Sequence, residues 1–342
     1  MKNKKIRVLI TGAGGNIGRE LVKMLARRNN QVEINVFDLN TAANREFFDR
    51  FLGKINVYFG DITDPSSLSG NVTKDKDIIF HLASIIPPLA NENPKLAYDV
   101  NVNGTSNLVN SLQVGSPDAF IVMASSVAVY GDRLKNPYIK VDDPLLPIED
   151  DYYAEYKVQM EEIIQKCTLK WSIFRLAAIM GVTNHVSPDL MFKMPLEQVI
   201  EICTPRDTAR ALLNSIDHVD ELNGKIFNLG GGPSCTTIYG DFLQNNFKIY
   251  GLGALDFPQH AFATQNFHCG FYEDGDILND ILDFRRDTLD DYYQALRAKT
   301  PSIQRWATKG LSKLVKSYLL SKSKPYEAWL NNDEEEMKKY FG

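Results

Sequence analysis

The sequence predicts an α/β protein, a doubly wound parallel sheet with a smaller C-terminal cap. Three observations carry that prediction. Short, almost wholly apolar runs of strand length alternate with longer stretches of helical spacing. A glycine-rich turn joins the first such run to the first helical stretch, and the alternation fades after Gly181. Strands that read as continuous apolar runs are buried on both faces, which requires helices above and below the sheet.

In order, residues 6–10 (IRVLI) form the first strand, and residues 16–28 a helix with apolar positions at Ile17, Leu21, Met24 and Leu25. Residues 32–37, 57–59, 77–82 and 119–124 are further strands, and residues 95–112 lie between the last two with helical spacing. A helix over 151–167 precedes a strand over 171–176. Residues 191–203 are mixed. Thr204-Pro205-Arg206-Asp207 has the form of a helix start, with a capping threonine, proline at the first position and Asp207 placed to close a capping box. A last strand over 226–229 runs into Gly230-Gly231-Gly232. Residues 1–180, with 204–235 returning to them, are therefore expected to form the sheet domain. Residues 181–203 and 236–342 are expected to form the cap and C-terminal helices.

The chain has 342 residues, 44% of them apolar and 24% charged, with a formal net charge of −5. That balance is ordinary for a soluble protein and gives no reason to expect nucleic-acid binding. Cys167, Cys203, Cys235 and Cys269 lie far apart, with no CxxC pair and no histidine at ligand spacing, so no metal site is expected and a reducing compartment is. The apolar run near the N-terminus is too short for a signal peptide, and no stretch approaches the roughly 20 apolar residues of a membrane span. The expected location is cytoplasmic.

The first strand leads into Thr11-Gly12-Ala13-Gly14-Gly15-Asn16-Ile17-Gly18. Gly12 permits a sharp turn off the strand, Gly15 lets backbone approach a pyrophosphate at the helix N-terminus, and Gly18 lets the helix pack on the sheet. Asp38 ends the second strand, 20 residues beyond Gly18, where a carboxylate accepts hydrogen bonds from ribose hydroxyls and repels a 2′-phosphate. No arginine follows it directly, so NAD is favoured over NADP. Asp61 and Ile62, after the third strand, are placed to bracket an adenine ring, although Asp61 reads equally as a turn residue.

These features are followed, in order, by HLAS at 81–84, NVNGT at 101–105, SSVAVYG at 125–131 and YAEYK at 153–157. The set resembles the extended short-chain dehydrogenase/reductase superfamily, in its NAD-dependent epimerase/dehydratase group, over residues 5–180 and more weakly to about 235. The resemblance implies a Rossmann fold, bound NAD and reversible hydride transfer at a secondary alcohol. It also implies a homodimer packed through the helices around 95–112 and 153–166. Leu82, Ala83 and Ser84 would run along the cofactor, and Asn101 would support the cofactor or a bound water.

Tyr153 and Lys157 are four apart and share one helical face. A phenol titrates near 10, too high for an efficient base at neutral pH, so a nearby ammonium and the positive charge of an oxidised nicotinamide are expected to lower it. Lys157 is also expected to reach the nicotinamide ribose. Ser126, which fits the family spacing better than Ser125, would hold the substrate oxygen while Tyr153 exchanges its proton. Tyr152 and Tyr156 have no lysine four residues on.

The family pattern also breaks. The run Ser126-Val127-Ala128 lacks the carboxylates of sugar 4,6-dehydratases, which disfavours that activity. No asparagine stands near Ala178, and only 22 residues separate Gly181 from Thr204, short for a segment that clasps a nucleotide diphosphate. His185, Lys193 and Arg206 are the candidate cations for such a diphosphate, each equally readable as a surface residue. A nucleotide sugar is the first substrate expectation, and a smaller or more apolar alcohol the second. A non-catalytic dinucleotide-binding protein is a third, disfavoured by the complete Ser–Tyr–Lys set.

Residues 292–326 contain eight Lys or Arg and no Asp or Glu. Within them Ala307, Leu311, Leu314, Val315, Tyr318 and Leu319 make one apolar helical stripe among lysines, over a basic helix spanning 303–322. Packing on the chain's own domain or a partner subunit is the first expectation, and peripheral contact with an anionic membrane the second.

Overall fold

A computed structural model describes residues 5–182 and 188–342. Its centre is a seven-stranded sheet, every neighbouring pair parallel. The strands are β1 (Ile6–Thr11), β2 (Val32–Asp38), β3 (Ile55–Phe59), β4 (Ile78–His81), β5 (Phe120–Ser126), β6 (Lys170–Leu176) and β7 (Lys225–Leu229). Their order across the sheet is β7-β6-β5-β4-β1-β2-β3. The chain moves one way from β1 to β3, then returns to the other side of β1 at β4. Such a reversal opens a crevice at the C-terminal ends of the two strands, where ligands bind in open α/β sheets.

Alternation within the strands explains the apolar runs. Val8 and Ile10 of β1 pack on one face with Leu21, Leu25 and Phe174, while Leu9 packs on the other with Leu108, Leu112 and Ile164. The flanking helices are α1 (Asn16–Leu25), α2 (Ala42–Asp49), α3 (Gly104–Gly115), α4 (Tyr152–Lys166) and α5 (Pro205–Ser215). α1 buries Gly18, Leu21, Val22 and Leu25, with Ile17 and Met24 of the expected stripe only partly buried beside them. Each large aliphatic side chain so buried contributes roughly 1.5–3 kcal/mol.

A smaller sheet joins Ala178–Ile179, Val199–Cys203 and Thr236–Ile238, with a second core of Met191, Phe192, Ile200, Tyr239, Phe242 and Phe247. The mixed stretch 191–203 thus contains the end of a helix (Pro188–Lys193) and a strand. Two expected helices are interrupted. Residues 26–28 tighten into a 3₁₀ turn, and the stretch 95–112 is divided by a π-helical turn at Asp99–Asn103. The capping box at Thr204 is only half formed. Thr204 accepts from the backbone N–H of Asp207 (3.1 Å), but the Asp207 carboxylate is drawn away to Arg210 and to the N–H groups of Arg286 and Asp287.

The basic C-terminal stripe lies on two nine-residue helices, Ser302–Gly310 and Ser312–Leu320, rather than one. Neither has a fully buried residue. Val315 and Leu319 of the stripe pack on the cap core, while Ala307, Leu311, Leu314 and Tyr318 are exposed. Among the described residues no helix is long and apolar enough to cross a membrane.

Candidate active site

The glycines after β1 differ in what they must avoid. Gly12 has φ +69, and a Cβ there would lie 2.6 Å from the Ala83 nitrogen, so the turn off β1 needs glycine both for conformation and for the approach of the segment after β4. At Gly18 a Cβ would meet Ala13 Cα at 2.6 Å, within the helix–strand contact. At Gly15 the nearest atom is only the Gly12 carbonyl oxygen at 3.3 Å. The neighbour would have to give by a few tenths of an ångström, a milder constraint than at Gly12 or Gly18, and the residue is exposed where a phosphate would come. No side chain caps the start of α1 and no acidic residue stands in its first turn. Its free N–H groups and the dipole behind them suit an anion. Gly15 and Asn16 are exposed and Ile17 is half-buried.

Asp38 reaches the same loop from β2. Its carboxylate accepts from the N–H of Gly14 (2.7 Å), the N–H of Leu39 (2.8 Å) and the Asn44 amide (3.0 Å). It is thus fixed beside the loop with lone pairs left over, as a ribose-binding carboxylate requires. Asp61 is exposed and accepts from the N–H (2.9 Å) and hydroxyl (2.8 Å) of Thr63, shaping its own turn. Ile62 is buried against Gly104 of α3. These residues fit a dinucleotide by the open cradle at Gly15 and the uncapped helix.

A buried string of polar groups ties the crevice together. His81, at the end of β4, pairs with Thr11 (2.8 Å) and Thr105 (2.9 Å) through its two ring nitrogens. Burial, reinforced by the Lys157 charge, lowers its titration to about 3, so the imidazole is neutral. Asn101, inside the π-helical turn, accepts from the Ile85 N–H (2.7 Å) and the Ser84 hydroxyl (3.1 Å) and donates to the Ile85 carbonyl (2.9 Å). Its amide braces the loop after β4. Leu82 is held from the other side by its N–H on the Thr11 carbonyl (3.1 Å), and the Ala83 N–H faces the Thr11 hydroxyl (3.4 Å).

Ser126, Tyr153 and Lys157 meet at the C-terminal end of β5. Asp151 caps α4 by accepting from the Ala154 N–H (3.2 Å), which starts the helix so that Tyr153 faces the sheet. The Tyr153 hydroxyl pairs with Ser126. Lys157 places its Nζ 5.6 Å from the centre of the Tyr153 ring and donates to the Ala124 carbonyl (2.8 Å). The Ser125 hydroxyl is instead engaged with Glu161, to which it donates.

In the protein alone, burial dominates the electrostatics of the pair. Burial pushes the Tyr153 phenol up to about 12, with Asp151 adding to the rise and Ser126 opposing it. Burial also draws Lys157 down to about 7, against the pull of Glu161. Without a second positive charge nearby, the phenol is therefore protonated at neutral pH. The lysine alone does not make it a base.

Several site residues escaped the sequence reading. Glu161 lies four residues beyond Lys157 on the same face of α4, and that spacing was its available signal. It is almost wholly buried and paired with Arg175 of β6 (2.8 Å). Arg175 also donates to the Tyr130 hydroxyl (2.8 Å) and the Val141 carbonyl (2.8 Å). The chain continues from Tyr130 to Asn228 (2.7 Å) and from Asn228 to Asp274 (2.8 Å), which accepts from the Val141 N–H (2.6 Å). His268, from the cap, lies 3.3 Å from Asp151. No local pattern announced this pair, because 117 residues separate its members.

The substrate candidates do not converge. Ala178 is half-buried in the small sheet, opposite Ile202. The Arg206 guanidinium is engaged by Asp287, its Nε donating at 2.9 Å. Lys193 ends a cap helix, and His185 lies outside the described residues. A cleft of about 720 Å³ runs from Gly14 and Asn16 past Arg19 to Thr204, Arg206 and Asp287. Among the described residues no cluster of His, Cys, Asp or Glu is arranged to hold a metal.

Residues 9–170 match the 3-beta hydroxysteroid dehydrogenase/isomerase family. The chain is 29% identical over 136 residues to D-erythronate dehydrogenase of Haemophilus influenzae, covering 38% of this chain and 40% of that one. It is 32% identical over 188 residues to UDP-glucose 4-epimerase of Lactobacillus helveticus, covering 53% and 54%. The matches thus span about half or less of these two relatives. UDP-glucuronic acid 4-epimerase from Bacillus cereus, solved with UDP-glucuronic acid and NAD, superposes with a TM-score of 0.69 at 17% identity, covering 86% of this chain and 100% of that one. The glycine loop, Asp38, Ser126, Tyr153 and Lys157 all fall within the residues matched to the hydroxysteroid dehydrogenase/isomerase family. Over residues 9–170 the chain is similar to that family, and its fold is that of the solved epimerases.

Proposed function

We propose that this protein binds NAD and catalyses reversible hydride transfer at a secondary alcohol, with Tyr153 as the general acid and base. The observation that carries the reading is the meeting of the Tyr153 hydroxyl with Ser126, 5.6 Å from ring centre to Lys157 Nζ, at the sheet's open end. Gly12, Gly15, Asn16, Ile17, Gly18 and Asp38 would hold the cofactor's adenosine and pyrophosphate, and Leu82, Ala83 and Ser84 would flank its path. When bound, the cofactor supplies the hydride acceptor or donor and a positive charge in its oxidised form.

The protein's own residues handle the proton. Ser126 fixes the substrate oxygen beside Tyr153. In the reducing direction the protonated phenol is already the acid that a developing alkoxide needs. In the oxidising direction the phenol must first lose its proton, which Lys157 favours only while it carries its own charge. Its titration near 7 makes that help pH-dependent.

For the substrate, a nucleotide sugar is supported by the solved neighbour that holds one. A smaller or more apolar alcohol is favoured by a different observation: Arg206, a candidate diphosphate partner, is engaged by Asp287. The exposed Leu96 and Tyr98, near the expected interface helices, are suited to a homodimer.

The test is turnover of the purified chain with NAD and representatives of both substrate classes. Tyr153→Phe is expected to lower kcat by about 10²–10⁴-fold while leaving NAD affinity unchanged. Undiminished turnover in that variant would sink the mechanism. NAD found in the denatured purified protein would favour an epimerase, and NADH release with added alcohol a dehydrogenase.

A further inference from the structure

The helical pair Ser302–Gly310 and Ser312–Leu320 presents its apolar side away from the protein. Ile303 and Trp306 are each 79% exposed, Leu314 69% and Tyr318 60%, with Leu311 and Ala307 exposed between them. These positions recur every three or four residues, so they form one outward stripe that continues across the break at Leu311. The inner side is held down by Val315 and Leu319 on the cap core and by an ion pair from Lys316 to Asp256. Amphipathicity is therefore reversed relative to a helix that merely covers a core. A contiguous outward apolar stripe on a water-exposed chain marks a contact surface.

Charge decides what the surface contacts. No acidic residue occurs from 292 to 326, against eight basic ones, while the whole chain is net acidic. Lys309, Lys313 and Lys322 are exposed beside the stripe, and the Lys322 ammonium lies 5.7 Å from the Tyr318 ring centre. Flexible lysines bordering a stripe that contains Trp and Tyr match the headgroup region of an anionic bilayer, with the rings at the boundary and the ammonium groups on the phosphates. A second copy meeting this face through two-fold symmetry would instead bring like charges together. We propose that residues 302–322 are a peripheral docking surface for anionic lipid membranes, lying on the bilayer rather than crossing it.

The test is sedimentation of the full chain with vesicles of phosphatidylcholine, with and without phosphatidylglycerol. Binding is expected only with phosphatidylglycerol and is expected to weaken as salt is raised. Lys309→Glu and Lys313→Glu should each lower the partition coefficient at least about five-fold, the contribution of one basic residue near a charged leaflet. Trp306→Ser should also lower it and abolish any vesicle-induced blue shift of tryptophan emission. The lysine variants alter exposed side chains, and matching melting curves would show that they fold. Three results would each overturn the proposal: no phosphatidylglycerol-dependent sedimentation of the unaltered chain, binding undiminished in all three variants, or self-association abolished by Leu314→Ser in a chain that does not bind vesicles.

Discussion

The sheet and the cap bury charge in contrasting ways. In the sheet, Glu161 and Arg175 face each other at 2.8 Å and share their remaining bonding capacity with Ser125, Tyr130 and Val141. In the cap, Glu201 is 1% exposed and is met by backbone instead, accepting from the N–H groups of Gly232 (2.7 Å) and Tyr272 (2.8 Å). Burial raises its titration to about 7, against those N–H groups and Arg285. The sheet thus meets this buried charge with side chains, whereas the cap wraps main chain from distant segments around one carboxylate. A Cβ at Gly230 would lie 2.1 Å from the Glu201 carboxylate, so the triple glycine is part of that wrapping.

Breaking the side-chain arrangement is expected to have the largest effect on stability. Arg175→Met leaves Glu161 buried without its cation and should cost about 3–5 kcal/mol, measured by denaturant unfolding. The double variant Glu161→Gln with Arg175→Met should recover part of that loss. No recovery would mean that the ion pair is not the unit holding α4 to β6.

The next contrast lies within the glycine loop. Gly12→Ala should destabilise by roughly 1–2 kcal/mol from its positive φ alone, and further through its contact with Ala83. Gly15→Ala should leave the melting temperature nearly unchanged but weaken NAD binding about tenfold or more, since the added methyl occupies the cofactor's side. Equal effects on both quantities at both positions would remove the distinction between a structural and a ligand-facing glycine.

The smallest effect is expected at Asp151. Its titration is held below the usual carboxylate range, with burial opposing the shift and His268 and the Ala154 N–H driving it. Being charged, it helps keep Tyr153 protonated. Asp151→Asn preserves an N-cap side chain and should cost less than about 1 kcal/mol. It should also lower the Tyr153 titration, moving the pH–rate curve for alcohol oxidation toward lower pH. A shift toward higher pH would contradict the assigned direction.

Most of the sheet was legible because its signals are local. β1, α1 and the glycine loop need only residues 6–25 to declare themselves, and the Tyr153–Lys157 spacing needs five residues. Spacing also favours Ser126 over Ser125, whose hydroxyl is engaged with Glu161. The cap was less legible because its partners are remote in sequence. Asp151 and His268, or Glu201 and Tyr272, meet only after the chain has folded back. The π-helical turn at Asp99–Asn103 hid for a related reason: Asn101 bends the helix to satisfy a loop 16 residues earlier. Arg206 carried no local signal of its partner, since Asp287 meets it from 81 residues away.

The line from Arg175 through Tyr130 and Asn228 to Asp274 also limits how the molecule can be taken apart. Asn228 belongs to β7, but its amide donor is satisfied by the segment after residue 270. A chimaera joined just past the sheet, carrying another protein's cap, would orphan that donor and with it the Val141 N–H. The cap of this protein is therefore not a detachable accessory: transplanting another in its place means transplanting Asp274, or redesigning the floor on which Tyr130 and Arg175 stand.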